Sequence, residues 1–129
     1  KGNWLGGVLK GKVRCNFANG THYYGDYMNG KRSGHGEIKW VNGAHYIGAF
    51  YDNLPNGSGW KKFQTGSTYE GDFVNGKRHG NGVFKNSDGD IYNGKWSSGL
   101  KHGEAICYYN GKKYQCTFNM DKLVSYNRV

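Results

Sequence analysis

The sequence predicts an all-β protein, a single-sheet solenoid of tandem β-hairpins, and three observations carry that expectation. The first is a glycine ruler: Gly2, Gly25, Gly48, Gly71 and Gly94 recur every 23 residues. The second is the set of residues that travels with it. A tyrosine stands two residues before the ruler glycine (Tyr23, Tyr46, Tyr69, Tyr92) and an aromatic two residues after it (Trp4, Tyr27, Phe50, Phe73, Trp96). Further glycines stand nine later (Gly11, Gly34, Gly57, Gly80, Gly103) and eighteen later (Gly20, Gly43, Gly66, Gly89). The third is local alternation of aromatic and polar residues, the period of two that belongs to strands. A fixed period of this length marks one small unit stacked on itself. Such a stack usually works through its extended surface.

The segment YEGDFVNGKRHGNGVFKNSDG, residues 69–89, shows the unit most cleanly. Tyr69, Gly71 and Phe73 alternate with Glu70, Asp72 and Val74, which predicts a short strand. Asn75-Gly76 predicts a tight hairpin turn, because both central positions of such a turn favour positive φ. Lys77-Arg78-His79, with Gly80 and Gly82, reads as a polar loop leading into a second strand at Val83 and Phe84. Asn86-Ser87-Asp88-Gly89 reads as another turn, after which Ile91-Tyr92 opens the next unit. The absent side chain at Gly71 leaves a slot for a neighbouring ring. A turn centred near Gly89 would set Phe84 over Gly94, and, two units earlier, Ile38 over Gly48. The glycines disfavour helix, each costing about 1 kcal/mol in a helix interior.

The units depart from the pattern at definite places. Val13 stands where the first unit's third glycine belongs. In the third unit Asn53 replaces the hairpin glycine and Leu54-Pro55-Asn56 replaces the basic segment. In the fifth, Ala105 replaces a glycine, the step to the next tyrosine (Tyr114) falls from 23 to 22, and Cys116 stands at the next ruler position. End units of a stack are atypical because they cap it. Residues 1–115 are therefore read as five units, the first truncated and the fifth degenerate, and residues 116–129 as a cap or the start of a linker.

The pattern Tyr-x-Gly-x-aromatic-x-x-Gly-x-x-x-Gly-x-Gly, with a hydrophobic pair and a turn glycine after it, resembles the MORN (membrane occupation and recognition nexus) repeat. Residues 69–89 match it almost position for position and residues 23–43 nearly as well, and the resemblance extends from Gly2 to about Gly111. It implies a ribbon of hairpins that binds partners. Proteins of this family are generally scaffolds linking membranes and cytoskeleton, and the same repeats stand beside catalytic domains in lipid kinases and a SET-domain methyltransferase. A non-catalytic scaffold at a membrane–cytoskeleton junction is the function this implies.

Composition narrows the classes. The 129 residues make one domain by size, with 36% hydrophobic residues but 16% aromatics placed periodically, which argues against disorder. No apolar run approaches the roughly 18 residues of a membrane-spanning helix. The chain opens part-way through a unit and without methionine, which reads as a segment of a longer protein. Three cysteines, an odd number, argue for a reducing, cytoplasmic setting, membrane- or cytoskeleton-associated if the resemblance holds. The net charge of +9 predicts attraction to acidic partners, whether anionic lipid or an acidic protein. Nucleic acid is disfavoured, since no recognition helix or known nucleic-acid module is visible.

No nucleophile–base–orienter trio is present, and no Gly-Lys-Ser/Thr stands after the glycine-rich segments, so neither catalysis nor a cofactor is expected here. No metal is expected either. His22 and His45, and likewise His79 and His102, occupy equivalent repeat positions about two strand spacings apart, too far to converge on one ion. His35 reads as a turn residue. Cys107 is expected opposite Cys116 across a turn at Asn110-Gly111, as two small core residues or, in an oxidising compartment, as a cross-strand disulfide. Cys15 lies near the other end of the stack. Two surfaces remain. Lys31-Arg32, Lys77-Arg78 and Lys101-His102 recur at one hairpin, with Lys10 extending the row, so Lys31, Arg32, Lys77, Arg78 and Lys101 are candidates for anionic headgroups. Lys61, Lys62, Lys112 and Lys113 add charge elsewhere. The aromatics Tyr23, Tyr27, Trp40, Tyr46, Phe50, Phe63, Tyr69, Phe73, Tyr92 and Trp96 are expected to form one stripe. It becomes a groove for a partner's peptide or helix unless twisting closes the rings on themselves. The terminal strand edges offer pairing to another chain, a second copy included.

Overall fold

Strands succeed one another in a single antiparallel sheet whose spatial order is the chain order. The computed structural model describes the backbone of residues 3–5 and 8–129 and the side chains from residue 11 onward. Gly2 and the side chains of Trp4 and Lys10 lie outside the described residues. Among those described there are twelve strands. They are β1 (Asn3–Leu5), β2 (Val8–Asn16), β3 (His22–Met28), β4 (Lys31–Lys39), β5 (His45–Tyr51) and β6 (Leu54–Lys62). The rest are β7 (Thr68–Val74), β8 (Lys77–Lys85), β9 (Ile91–Ser97), β10 (Leu100–Tyr109), β11 (Lys112–Asn119) and β12 (Lys122–Arg128). Every pairing is a hairpin between sequence neighbours, so each unit touches only the units beside it.

Two kinds of connection alternate. The tight ones have two central residues with positive φ, as at Asn75 (50°) and Gly76 (82°), the geometry that matches strand twist. The third unit keeps this turn without glycine: Asp52 and Asn53 take φ of 52° and 73°. The wide connections span five residues. In 86–90 the Asn86 N–H donates to the Asp90 carbonyl at 3.0 Å and the Gly89 N–H to the Asn86 carbonyl at 3.0 Å.

That closed loop corrects the expected register. Pairing across it is centred on Asp88, one residue earlier than anticipated, so Gly82 faces Gly94 and Phe84 faces Tyr92. Two units earlier Gly36 faces Gly48 and Ile38 faces Tyr46. Glycine therefore lies against glycine, and the bulky residues pair with the tyrosines. The same slip moves the cysteines: Cys107 pairs with Tyr114, and Cys116 with Ala105. All three cysteines are free thiols.

A second correction concerns the basic segment, which is strand and not loop: Lys77-Arg78-His79 opens β8 and Leu54-Pro55-Asn56 opens β6. A bulge lies immediately beyond it. Gly71 pairs with Gly82 and Phe73 with Arg78, so two extra residues sit on β8 near Gly80. In β4 the corresponding glycine, Gly34, has φ 103°, and a Cβ there would strike the Asp26 carboxylate. Asp26 caps the bulge, accepting the His35 N–H at 2.9 Å, and Asp72 does the same for Asn81 at 3.2 Å.

The last wide loop has lost a residue. Tyr109 pairs with Lys112 around a tight Asn110-Gly111 turn, which accounts for the step of 22 in place of 23. Residues from Cys116 on complete β11 and form β12, so the expected boundary at 116 falls inside a strand.

The Asp26 cap carries a pH dependence. Its carboxyl is held below the usual carboxylate range, first by the His35 N–H and then by Lys12, whose ammonium lies 2.9 Å away. A depressed folded-state pKa contributes stability that is complete above the unfolded value of about 4 and is lost as pH falls through the folded value. Asp26→Asn is therefore expected to be less stable than wild type at pH 7, and by a smaller gap at about pH 3. Urea melts at the two pH values check it, and an unchanged gap would remove the cap from the account.

Candidate functional site

One face of the sheet is built from three parallel rows of side chains, each crossing the strands. The middle row is nearly bare: Gly25, Gly36, Gly48, Gly59, Gly71, Gly82 and Gly94 meet in successive pairs. Each unit's tyrosine lies down across this track. The Tyr69 ring covers Gly82, and its hydroxyl donates to the Asp72 carbonyl at 2.9 Å. Tyr23, Tyr46 and Tyr92 donate in the same way to the carbonyls of Asp26, Ala49 and Lys95 at 2.9, 2.7 and 2.6 Å. Burial pushes the Tyr46, Tyr69 and Tyr92 hydroxyls up to about 12, so they remain donors at physiological pH.

The third row holds the aromatic after each ruler glycine, and it locks neighbouring units together. Phe50 meets Tyr23 and Tyr46 edge-on at 5.4 and 5.1 Å, and Phe73 meets Tyr46 and Tyr69 at 5.1 Å each. Trp96 meets Tyr69 and Tyr92 at 5.4 and 5.0 Å. Edge-to-face contacts of this kind add to the burial itself.

This closure changes the reading of the stripe. Tyr23, Tyr46, Phe50, Tyr69, Phe73, Tyr92 and Trp96 are at most 4% exposed and form the core. Of the ten aromatics expected to line a groove, Tyr27, Trp40 and Phe63 stay half-buried at its surface. Those three are what the expected stripe leaves accessible on this face.

Strand alternation also divides the basic stripe between two faces. Arg32, Arg78 and Lys101 pair with Tyr27, Phe73 and Trp96 and turn onto the aromatic face. The Arg32 guanidinium sits over Tyr23 and Phe50 at 5.7 and 5.8 Å. Arg78 sits over Trp96, Phe84 and Phe63 at 4.6, 5.4 and 5.6 Å, and Lys101 over Phe118 and Tyr92 at 5.2 and 5.3 Å. Cations over ring faces are attracted by the ring quadrupole. Both arginines tie one hairpin to the next: Arg32 donates to the Asn53 carbonyl at 2.8 Å and Arg78 to that of Gly99 at 3.0 Å. Lys31 and Lys77 stand exposed on the opposite face, and Lys31 pairs with Asp52 at 2.7 Å. The five candidates for anionic headgroups thus form no single row.

The histidines are placed as parts of the scaffold. His79 and His102 each accept a backbone N–H, from Ser98 and Met120, at 3.2 Å, and His45 meets Glu37 at 2.6 Å.

Among the described residues, the aromatic face carries a larger and a smaller depression. The larger, about 590 Å³, lies at the carboxy-terminal end and is lined by Tyr92, Cys107, Tyr114, Cys116, Leu123 and Tyr126 among others. It opens where the glycine track ends, because Ala105, Cys116 and Tyr126 now occupy the middle row. Tyr114 stands against Tyr126 at 5.9 Å. Burial, with the Cys116 thiol second, pushes the Cys107 thiol up to about 12, so it is protonated and unreactive at neutral pH. The smaller depression, about 370 Å³, is bounded by the wide loops 40–44 and 63–67 and includes Lys61, Phe63, Arg78 and Phe84.

Sequence reasoning passes over most of these residues. Lys61 is visible in the period, since stepping 23 residues from Ile38 gives Lys61, Phe84 and Cys107, one cation in an otherwise apolar column. The loss of glycine at Ala105 and Cys116 marks the larger opening in the same way. Nothing in the spacing points to Leu123 or Tyr126.

Comparison with known families agrees with this geometry. A family model described as MORN repeat matches four consecutive segments, residues 23–45, 46–68, 69–91 and 92–113. No curated protein matches the chain.

Proposed function

The chain belongs to the MORN repeat family, and from that premise we propose that it is a non-catalytic binding module that takes an extended or helical segment of a protein partner on its aromatic face. The observation that carries this reading is the carboxy-terminal depression of about 590 Å³. Tyr126 and Leu123 are 59% and 50% exposed at its rim, beside a core whose other aromatics are closed. Exposed tyrosine and leucine around a preformed hollow suit a partner's apolar anchor.

The alternative, anionic phospholipid held by the basic hairpins, has weaker support, because alternation sends Arg32, Arg78 and Lys101 onto the face opposite Lys31 and Lys77. A flat headgroup layer meets one face at a time.

The test is selection of a random 12-residue peptide library on the intact chain, with sedimentation of phosphoinositide-containing vesicles alongside. Enrichment of peptides carrying aromatic or leucine anchors is expected, and Tyr126→Asp is expected to weaken the selected peptides about tenfold, the scale of a modest anchor. Because Tyr126 is exposed, that change leaves the core intact. No enrichment over the starting library, with salt-sensitive vesicle binding, would overturn the protein-partner reading in favour of lipid.

A further inference from the structure

We propose that Lys61 and Arg78 form a receptor for a carboxylate, so that the segment taken on the aromatic face is an acidic one; the inference rests on the protein-partner reading above and specifies its chemistry. Position 61 lies between Tyr46 and Tyr69 in a cross-strand row where neighbouring units place Ile38 and Phe84. A lysine there sits on the half-buried side of the sheet, among rings. Its ammonium lies 4.9 Å from the Phe63 ring and 5.2 Å from Trp40, and the Arg78 guanidinium lies over the same Phe63 at 5.6 Å.

Two like charges therefore share one aromatic bed. Among the described residues no carboxylate comes within 4.0 Å of either, although Lys12, Lys31, Lys39 and His45 each have one. Asp121 is the acidic group whose charge reaches Arg78, from beyond pairing distance. Burial, and after it the charge of Arg78, lowers the Lys61 pKa, which is what a cation lacking a counter-ion in a partly dry site does. Repeat packing does not require this arrangement, since Phe84 fills the equivalent place. An anion bridging the two cations would remove the repulsion and restore what burial takes from each.

The surroundings favour a peptide carboxylate over a lipid headgroup. The pair is recessed between Trp40, Phe63 and Phe84, and the opening of about 370 Å³ is bounded by the two wide loops. Two polar groups of those loops are engaged in the loops themselves: Asn42 accepts the Ala44 N–H at 2.9 Å, and the Thr65 hydroxyl bonds that of Ser67 at 3.2 Å. What the opening offers a ligand is a cation pair flanked by aromatic surface, with Gln64 also in its lining, which fits an Asp or Glu next to an apolar side chain. Arg78 has a single bond, to the Gly99 carbonyl, and Lys61 is held by rings alone, so donors are available on both.

The experiment runs the same peptide selection in parallel on wild type, on Lys61→Phe and on Lys77→Ser. The first variant restores the residue of the neighbouring unit and so keeps the fold. The second removes the same charge from the opposite face. Wild type and Lys77→Ser are expected to enrich Asp or Glu beside an apolar residue, and Lys61→Phe to enrich the apolar residue alone. A synthetic peptide from the wild-type pool is expected to bind Lys61→Phe about tenfold more weakly and Lys77→Ser within about twofold. Enrichment without acidic residues, or equal acidic enrichment on Lys61→Phe, overturns this inference and leaves the protein-partner reading standing. Equal losses in both variants would reduce the effect to net charge and overturn it as well. Failure of all three to enrich any peptide overturns the underlying reading, and this inference with it.

Discussion

Gly71→Ala is expected to destabilise the protein by about 3 kcal/mol, a large value for the addition of one methyl group. The reason lies in the atoms that the new Cβ meets. It would run into the Gly82 Cα and the Asn81 carbonyl oxygen of the paired strand, with the Tyr69 hydroxyl 2.9 Å away. The first two are backbone atoms, which cannot rotate aside as a side chain does. β7 and β8 must separate, or the tyrosine must leave the track with its bond to Asp72. Gly89→Ala is the matched control. Gly89 has φ 93° and open space around the position, so alanine there meets only the left-handed backbone penalty of about 1 kcal/mol. Thermal melts monitored by circular dichroism are expected to separate the two, with Gly71→Ala lower by roughly ten degrees and Gly89→Ala by a few. Similar losses would mean that backbone conformation, and not contact between the strands, sets the glycine requirement.

That pair of glycines also shows where the sequence is legible. The period, the alternation around Tyr69 and the Asn75-Gly76 turn are local facts, and each is written in a few adjacent residues. The fold class and the family come from them. Register is not local: whether Phe84 or Gly82 faces Gly94 depends on one residue in the centring of a five-residue loop, and glycine spacing alone does not say which. With that residue misplaced, the tyrosine is assigned to a groove when it is in fact the lid on a glycine track. The basic stripe divides for a related reason. Lys77 and Arg78 are adjacent in sequence, but in a strand adjacent residues face opposite ways, so a dipeptide that looks like one patch splits between two surfaces. The exception at position 61 stands in the sequence itself, because a cation in an apolar column is a departure from the chain's own consensus. Its meaning depends on where the fold brings Arg78.

Trp96→Ala is expected to cost about 4 kcal/mol, and where the loss falls matters as much as its size. Trp96 is 4% exposed, packs on rings from two units and donates its indole N–H to the Gly82 carbonyl at 3.2 Å. Truncation leaves a ring-sized gap and a buried acceptor without its donor. In a stack where units contact only their neighbours, that loss stays near its origin. Hydrogen exchange is expected to show lost protection in β7 through β10, while β3 through β5 keep theirs. Trp96→Phe, which retains a ring, is expected to cost about half as much, with the same distribution. Uniform loss across all strands would show that the sheet unfolds as one unit and that the nearest-neighbour description fails. The same variant bears on recognition, since the Arg78 guanidinium lies 4.6 Å from the Trp96 ring. Without that ring the arginine loses the nearest of the three aromatic surfaces it lies over. Peptides selected for an acidic residue are therefore expected to bind Trp96→Ala more weakly even at temperatures where the rest of the sheet is intact. Undiminished binding there would place the carboxylate on Lys61 alone.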